Sequence, residues 1–246
     1  MEPTEYETMY QVEDRHWWYM GMKQITLTLA HHFYPGRTDL SILDAGCGTG
    51  AVMGYLAPFG RVTGCDISPI ALNFCRRRGL AHLGQSSVTH LPFPAQSFDL
   101  VTSFDVLYHR AVGDYRDALV EFCRVLKPDG RLFLRLPAYN WLRGHHDEII
   151  HTTHRFTAGE LREALTTSQF TVEKLSYANT LLFPLAVAKR LAETVIPANG
   201  EQSDISANPE WQDKLFVRFL EAEANWLRHR SLPFGLTVIA IGRKRG

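Results

Sequence analysis

Three glycines and an aspartate lie close together near position 44, in the run Leu43-Asp44-Ala45-Gly46-Cys47-Gly48-Thr49-Gly50. Glycines at this spacing let the backbone approach a ligand closely and present its N–H groups, as in nucleotide-binding loops. Gly46 and Gly48 with Ala51 also satisfy the dinucleotide pattern G-x-G-x-x-A, so the glycines alone do not choose between cofactor classes. The pattern predicts a site for a nucleoside-containing cofactor.

The charge of Asp44, two residues before the first glycine, favours one cofactor class. A carboxylate there repels the pyrophosphate of a dinucleotide, but it attracts S-adenosylmethionine, which has no phosphate and carries an ammonium and a sulfonium. Asp66 follows Gly46 by about 20 residues, where an acid usually accepts hydrogen bonds from ribose hydroxyls in either class. The alternative for Asp44 is a turn-forming or capping aspartate.

The elements that must position these residues alternate between strand and helix. The predicted strands are Ser41–Ala45, Arg61–Asp66, Phe98–Phe104, Arg131–Leu136 and Thr171–Tyr177. The predicted helices are Ala51–Ala57, Ser68–Arg78, Asp114–Lys127 and Thr157–Thr167, with Ser68 as an N-cap and Pro69 at the first helical position. This alternation predicts an α/β fold, a doubly wound, mostly parallel Rossmann-like sheet that binds ligands beyond the carboxyl ends of its strands.

Helical segments flank this pattern. Residues 6–33 are predicted to form one or two helices, and residues 179–233 a helical insertion before a last strand within Gly235–Gly242. The predicted apolar face of the first inserted helix is Leu181, Leu185, Ala188, Ala192 and Val195, and that of the second is Trp211, Leu215, Phe219, Ala222 and Trp226. We expect these two faces to pack on each other, with a dimer contact or a lipid surface as alternatives.

Three further runs accompany the glycine loop in a fixed order: Leu91-Pro92-Phe93-Pro94-Ala95-Gln96-Ser97-Phe98-Asp99-Leu100-Val101, Phe104-Asp105-Val106-Leu107-Tyr108-His109, and Arg124-Val125-Leu126-Lys127-Pro128-Asp129-Gly130-Arg131-Leu132. With these runs, residues 40–178 resemble the class I S-adenosylmethionine-dependent methyltransferases, and most of all the subgroup with small-molecule and quinone methyltransferases. The resemblance implies a methyltransferase domain of residues 1–178 and 234–246, interrupted by the insertion 179–233.

The resemblance also implies a cofactor site. Asp44 and the glycines would face the methionine portion, and Asp66 and Ile67 would hold the ribose and flank the adenine. Many relatives have an acid before the Leu-Pro-Phe run that reaches the adenine amine, whereas here Ser87 and the N–H of Val88 take that place. The full predicted set is Asp44, Gly46, Cys47, Gly48, Gly50, Asp66, Ile67, Ser87, Val88 and Phe104.

Candidate residues for the methyl acceptor come from the loops after the predicted strands Phe98–Phe104 and Arg131–Leu136. A general base is needed only if the acceptor must lose a proton, and histidine is a natural base. The predicted acceptor or catalytic residues are His109, Tyr139, His151 and His154. For His109 the alternative is a loop histidine that positions the next helix. The histidine-rich run 145–154 is interpreted as an acceptor lid or a polar loop rather than a metal site, so no metal is predicted.

The composition of the chain narrows the classes of partner that we expect. The chain has 246 residues, of which 45% are hydrophobic, and 26 Lys and Arg balance 26 Asp and Glu. Without a surplus of basic residues, nucleic acid is disfavoured as a main partner. The four cysteines form no Cys-x-x-Cys pair, which favours a cytoplasmic location, and no stretch is apolar enough for a membrane span. Lys189 and Arg190 would let the first inserted helix lie on a membrane but hardly span one.

The sequence leaves three functions open. The first is S-adenosylmethionine-dependent methylation of a small-molecule or lipid-like acceptor. The alternatives are a non-catalytic binding protein with the same fold and an NAD-dependent oxidoreductase. The aromatic run His16-Trp17-Trp18-Tyr19 would either close over the cofactor or pack the first helices onto the sheet.

Overall fold

The computed structural model describes residues 3–144, 147, 152–188 and 210–246. Its seven strands form one sheet in the order β3-β2-β1-β4-β5-β7-β6, and β7 runs antiparallel to both of its neighbours. The strands are β1 Leu40–Ala45, β2 Gly60–Asp66, β3 Leu83–Gln85, β4 Phe98–Phe104, β5 Leu126–Pro137, β6 Phe170–Ala178 and β7 Thr237–Lys244. The predicted doubly wound, mostly parallel sheet with a last strand inserted into it is confirmed.

Helices cover both faces of the sheet. They are α1 Pro3–Val12, α2 Trp17–Phe33, α3 Ala51–Leu56, α4 Pro69–Arg77, α5 Tyr115–Val125, α6 Ala158–Thr167 and α7 Glu210–Leu227. The predicted N-caps form: Ser68 Oγ accepts the Ala71 N–H at 3.4 Å, and Thr157 Oγ1 accepts the Glu160 N–H at 3.3 Å. These caps accept hydrogen bonds from N–H groups that have no partner within the first turn of a helix. They therefore fix the residue at which each of the two helices begins.

The hydrophobic core has two main layers, one on each face of the sheet. On one face, α5 packs on β5 and α6 packs on β6 and β7, and these helices bury Leu119, Phe122 and Leu161. On the other face, α2 and α7 bury side chains that include Met22, Ile25, Leu29, Leu220 and Leu227. The sheet is therefore covered on both faces, and its carboxyl-terminal edge carries the loops that can hold a ligand.

The apolar face predicted for α7 is its exposed face. Leu220, Ala224 and Leu227 are the buried apolar residues of this helix, whereas Trp211 and Trp226 are exposed. The helix packs on α2, and a Cβ on Gly21 would lie 2.1 Å from Leu220 Cδ1. A glycine on α2 thus lets the two helix backbones approach closely.

Of the first inserted helix, the structure describes residues 183–188, which are helical, so the prediction for Ala192 and Val195 falls outside the described residues. Leu181 and Leu185 are exposed, whereas Leu182 is buried, so the residues predicted to share an apolar face are exposed where they can be compared. The α7 side chain Glu223 accepts the N–H groups of Asn179 at 2.6 Å and Leu181 at 2.8 Å. This carboxylate ties the start of the insertion back to α7.

Candidate functional site

The carboxyl ends of β1, β2 and β4 meet at one edge of the sheet. In the parallel register, Asp44 pairs with Gly64 on β2 and with Thr102 on β4, so the residues that follow each strand lie side by side. A cavity of about 840 Å³ opens above this edge. All ten residues of the predicted cofactor set line it.

Three N–H groups of the glycine loop donate hydrogen bonds to oxygens of the protein itself. The N–H groups of Gly46 and Cys47 both donate to Cys65 O, at 2.8 and 2.9 Å, and that of Gly48 donates to Asp66 Oδ2 at 3.0 Å. The expectation that the loop presents these groups to a ligand is wrong, because its tight turn aims them at β2. A loop of this kind lets a ligand approach the backbone but lacks the donors that a pyrophosphate needs.

Asp44 is a buried carboxylate with one partner. Its Oδ1 accepts a hydrogen bond from Thr102 Oγ1 at 2.8 Å, whereas its Oδ2 has no hydrogen-bond partner among the described residues. Burial raises its pKa to about 7, the charges of Asp66 and Glu13 add to this shift, and the Thr102 hydrogen bond and the charge of Arg135 oppose it. An unsatisfied buried carboxylate oxygen is costly, and a cationic donor would remove that cost.

Asp66 is held in place by backbone donors. Its Oδ1 accepts the Ser68 N–H at 2.8 Å and its Oδ2 accepts the Gly48 N–H at 3.0 Å. Burial raises the pKa of this carboxyl, and the two N–H groups oppose the shift. Each carboxylate oxygen keeps a second lone pair for a further donor, such as a ribose hydroxyl. Ile67, the next residue, is half exposed at the cavity wall.

The end of the cavity predicted for adenine is less polar. Val88 is buried, and the Ser87 hydroxyl pairs with Thr89 Oγ1 at 2.8 Å and accepts the Thr89 N–H at 3.3 Å. The hydroxyl of Ser87 thus has local partners in the turn that follows β3. A ligand base here would meet mainly apolar surface and the backbone of this turn.

Helix α1 is fastened to the glycine loop by an arrangement that we call the Arg78 clamp: Arg78, Glu13, Asp14 and Thr49. Arg78 reaches Glu13 Oε1 at 2.7 Å and Asp14 Oδ2 at 3.0 Å, and its Nε donates to Thr49 O at 3.0 Å. The Thr49 hydroxyl also donates to Glu13. Burial raises the pKa of Glu13, and its hydrogen bond to Thr49 and the Arg78 charge oppose the shift. The clamp holds the N-terminal helix over the cofactor end of the cavity, which is lined by Tyr6 and Met9 of this helix and by Glu13 just after it.

The other half of the cavity contains an ion pair that the sequence analysis did not single out. Arg135 Nε donates to Asp105 Oδ2 at 2.7 Å, and the guanidinium lies between the rings of Trp18 and Phe104, at 5.0 and 4.7 Å from their centroids. Asp105 has a positive φ of 59°, and its N–H donates to Arg135 O at 2.8 Å. The only sequence signal was the position of Asp105 directly after β4. Other residues lining this half include His16, Trp17, Tyr19, Tyr108, Arg155 and Asn179.

Comparisons with known proteins agree with this geometry. The family model described as "Methyltransferase domain" matches residues 43–134. Over these residues, which are less than half of the chain, the sequence is similar to that family. The match runs from the end of β1, through the glycine loop and Asp105, to β5.

Curated relatives carry methyltransferase names but align over part of their length. An uncharacterized methyltransferase of Bacillus subtilis is 42% identical over 100 residues, which are 38% of this chain and 42% of the relative. The demethylmenaquinone methyltransferase of Symbiobacterium thermophilum is 36% identical over 137 residues, 51% of this chain and 52% of the relative. The malonyl-[acyl-carrier protein] O-methyltransferase of Salmonella typhimurium is 40% identical over 97 residues, 39% of this chain and 38% of the relative. The chain thus spans about half or less of the length of these relatives.

Solved structures share the fold over nearly the whole chain. The protein bound to the Trm112 methyltransferase activator in a Haloferax volcanii complex aligns with a TM-score of 0.63 at 22% identity, over 99% of this chain and 95% of that one. An S-adenosylmethionine-dependent methyltransferase from Mesorhizobium loti aligns with a TM-score of 0.60 at 17% identity, over 94% of this chain and 100% of that one. At these identities, the likeness is one of fold.

Within the matched residues, His109 lines the cavity and also caps a turn. Its Nδ1 accepts the Ala111 N–H at 3.1 Å at the start of the 3₁₀ turn Arg110–Val112. Because Nδ1 accepts this hydrogen bond, the neutral ring carries its proton on Nε2, which makes Nε2 a donor rather than a base. This geometry favours the alternative in which His109 positions the following turn.

The other predicted acceptor residues do not meet at the cavity. Tyr139 stacks on Tyr177 with ring centroids 5.1 Å apart, and His154 pairs through Nε2 with Glu160 Oε1 at 2.6 Å. Neither Tyr139 nor His154 is among the described residues that line the cavity. The prediction for His151 lies outside the described residues.

Two further findings concern metals and membranes. Among the described residues, no group of three or more His, Cys, Asp and Glu side chains is arranged to hold a metal ion. In the same part of the chain, no helix is long and apolar enough to cross a membrane. Most of the histidine-rich run lies beyond this description, so its predicted role as an acceptor lid stays a prediction.

Proposed function

We propose that this protein is an S-adenosylmethionine-dependent methyltransferase that transfers a methyl group to a small-molecule or lipid-like acceptor. The observation that carries the proposal is Asp44. It is a cavity-lining carboxylate beside the glycine loop, and its Oδ2 has no partner among the described residues. The methionine ammonium of the cofactor supplies both the charge and the N–H donors that this oxygen lacks.

The residues present fit the cofactor along its length. Asp44 would hold the ammonium, Asp66 would accept the ribose hydroxyls, and the wall from Ser87 to Val88 would receive the adenine. When bound, S-adenosylmethionine supplies an activated methyl group on a sulfonium. The protein's task is then to align the acceptor with that methyl group and to exclude water, and alignment can provide most of the acceleration of such a displacement.

The glycine loop weighs against the NAD-dependent alternative. Gly46, Cys47 and Gly48 direct their N–H groups to protein oxygens, and Asp44 places a carboxylate where a pyrophosphate would have to sit. Two phosphate groups would therefore meet a negative charge without compensating donors. This combination favours a cationic, phosphate-free cofactor.

The acceptor class rests on the relatives and on the apolar surface of the insertion. Two of the relatives are named for demethylmenaquinone and for a malonyl-carrier protein. On α7, Trp211 is 64% exposed and Trp226 is 49% exposed. Exposed aromatic residues of this kind support a lipid-like acceptor, a peripheral membrane contact or a homodimer.

The four cysteines are free thiols, in keeping with a cytoplasmic location.

The proposal is tested by calorimetric titration of S-adenosylmethionine into the wild type and into Asp44→Asn. Removing one member of a buried charge pair typically costs 2–5 kcal/mol, so we expect the affinity to fall at least about 30-fold. Asp99→Asn is the matched control: it changes a carboxylate of the same sheet at the opposite end of β4, where Asp99 accepts from Ser41 N and Lys127. Its affinity should equal that of the wild type. Equal affinity in Asp44→Asn, or binding of NAD in place of S-adenosylmethionine, would contradict the proposal.

A further inference from the structure

The acceptor half of the cavity contains one carboxylate that the cofactor does not need. Asp105 comes directly after Phe104, the last residue of β4, and precedes Val106, whose Cγ2 would lie 2.3 Å from a Cβ on Gly46. Asp105 therefore stands at the boundary between the glycine loop and the acceptor half. Its side chain is 22% exposed although it is enclosed by the cavity wall, so that surface faces the cavity.

Only one oxygen of Asp105 is held by the protein. Oδ2 accepts from Arg135 Nε, and Oδ1 has no hydrogen-bond partner among the described residues. Asp44 is assigned to the cofactor, and three other carboxylates that line the cavity are held by other partners. Asp66 accepts two backbone N–H groups, Glu13 accepts from the Arg78 clamp, and Asp147 accepts from Arg155 with both oxygens.

The groups that face Asp105 are hydrogen-bond donors. Arg135 on β5 donates to Asp105, and the charge of Asp105 contributes to the raised pKa of Tyr19 on α2, of Tyr55 on α3 and of Tyr108 in the loop after β4. Burial raises the pKa of Tyr108, and the charge of Asp105 adds to the shift, so this tyrosine stays a neutral donor. Within the described residues, the Arg135 side chain makes one hydrogen bond, which it donates from Nε. The other N–H groups of its guanidinium remain able to donate.

This arrangement pairs one proton acceptor with several donors. We propose that Asp105 is the general base of methyl transfer, and that the acceptor reacts through a weakly acidic O–H group, a phenol or an enol. The inference rests on the proposed methyltransferase function. An ammonium or a neutral amine would instead meet the donors of Arg135, Tyr19 and Tyr108, which suit an oxygen that becomes negative.

The step balances with the residues present. The acceptor O–H bond breaks and its proton passes to Asp105 Oδ1. An oxygen electron pair forms the bond to the methyl carbon, and the electron pair of the carbon–sulfur bond returns to sulfur, so the sulfonium becomes a neutral thioether. Arg135 acts as a positioning residue, because it holds Oδ2 and turns Oδ1 toward the cavity.

The test uses 4-nitrophenol as the probe and the full chain loaded with S-adenosylhomocysteine. Above the pH at which the probe ionises, a phenolate and the Asp105 carboxylate can occupy adjacent positions only if they share a proton. Calorimetry in two buffers of different protonation enthalpy should therefore show uptake of about one proton per bound probe by the wild type. This readout needs no variant.

Variants then assign the proton. Asp105→Asn should bind the phenolate beside Arg135 with no proton uptake, and its affinity for the probe should rise with pH instead of falling. Asp105→Glu, which keeps the carboxylate, should retain the uptake. Asp99→Asn, the same change in an ion pair that does not line the cavity, should behave as the wild type.

The outcomes separate the two proposals. If S-adenosylhomocysteine does not bind, the methyltransferase function itself fails. If it binds and the wild type takes up no proton with the probe, does not bind the probe, or shows the same uptake as Asp105→Asn, the assignment of Asp105 is overturned while the function stands.

Discussion

Asp44 shows how a residue built for a ligand can cost stability without it. Burial raises its pKa from the ordinary value of 3.8 to about 7, so the folded, ligand-free protein holds a proton that the unfolded chain releases. Between these two values, the folded state binds more protons than the unfolded state, and stability falls as the pH rises. Above about pH 7 the full cost of the buried charge is present.

We therefore expect Asp44→Asn to stabilise the ligand-free protein at pH 8. The gain in the free energy of unfolding should be roughly 1–3 kcal/mol and should shrink as the pH is lowered from 7 toward 4. Urea unfolding at pH 8 and at pH 5 measures both values. A loss of stability of the same size at both pH values would contradict the raised pKa of Asp44.

At the scale of residues, the sequence predicted the residues that line the cofactor half of the cavity and missed the Asp105–Arg135 pair of the other half. Asp44, Asp66 and Phe104 end neighbouring parallel strands, so their meeting follows from the strand pattern. The pairing of Asp105 with Arg135 depends on the β4–β5 register, in which Phe104 lies opposite Arg135, and no local pattern encodes that register. His109 and His154 were predicted as acceptor or catalytic residues because of their residue type. In the structure, His109 caps a turn and His154 pairs with Glu160.

At the scale of elements, α7 explains why the packing of the insertion could not be predicted. Two series of apolar residues run along this helix at helical spacing, one through Leu220, Ala224 and Leu227 and one through Trp211, Leu215 and Trp226. Periodicity identifies the helix but does not choose between two apolar faces. Gly21 on α2 makes the choice, since it gives Leu220 room at the contact between the helices.

Helix α1 gives the sharpest prediction at this scale. In Arg78→Gln, the Arg78 clamp loses its charge-assisted hydrogen bond to the buried Glu13, which contributes about 1.5–3 kcal/mol, and its pair with the exposed Asp14, which contributes little. We expect opening of α1 to become roughly tenfold or more frequent, and the affinity for S-adenosylhomocysteine to fall with it. Limited trypsin digestion followed at Arg15, together with calorimetry, measures both effects.

The neighbouring arginine provides the control. Arg77 is exposed and lies 3.8 Å from Glu7, so Arg77→Gln removes the same charge from the same helix end without touching the clamp. An exposed pair at that distance contributes little. Equal digestion rates in the two variants would show that α1 is not held by Arg78.

At the scale of the whole molecule, the ligand site joins parts that are distant in the sequence. The cavity draws its wall from α1, the glycine loop, the ends of β2, β4 and β5, and the start of β7. A ligand that fills it therefore contacts elements from both halves of the chain. The zero net charge of the chain agrees with this picture, because a small cation needs local acids such as Asp44 rather than a global charge.

Because binding is restricted to the folded state, S-adenosylhomocysteine should raise the melting temperature of the whole chain in a single transition. At 100 times its dissociation constant, a ligand stabilises by about 2.7 kcal/mol, which for a chain of this size corresponds to roughly 5–10 °C. NAD at the same concentration should give no shift, and Asp44→Asn should lose most of the shift while melting cooperatively. A shift with NAD alone, or a shift that Asp44→Asn retains in full, would mean that the cavity recognises a ligand by groups other than this carboxylate. The comparison is informative at this scale because a thermal shift reports the stability of every element that the cavity joins.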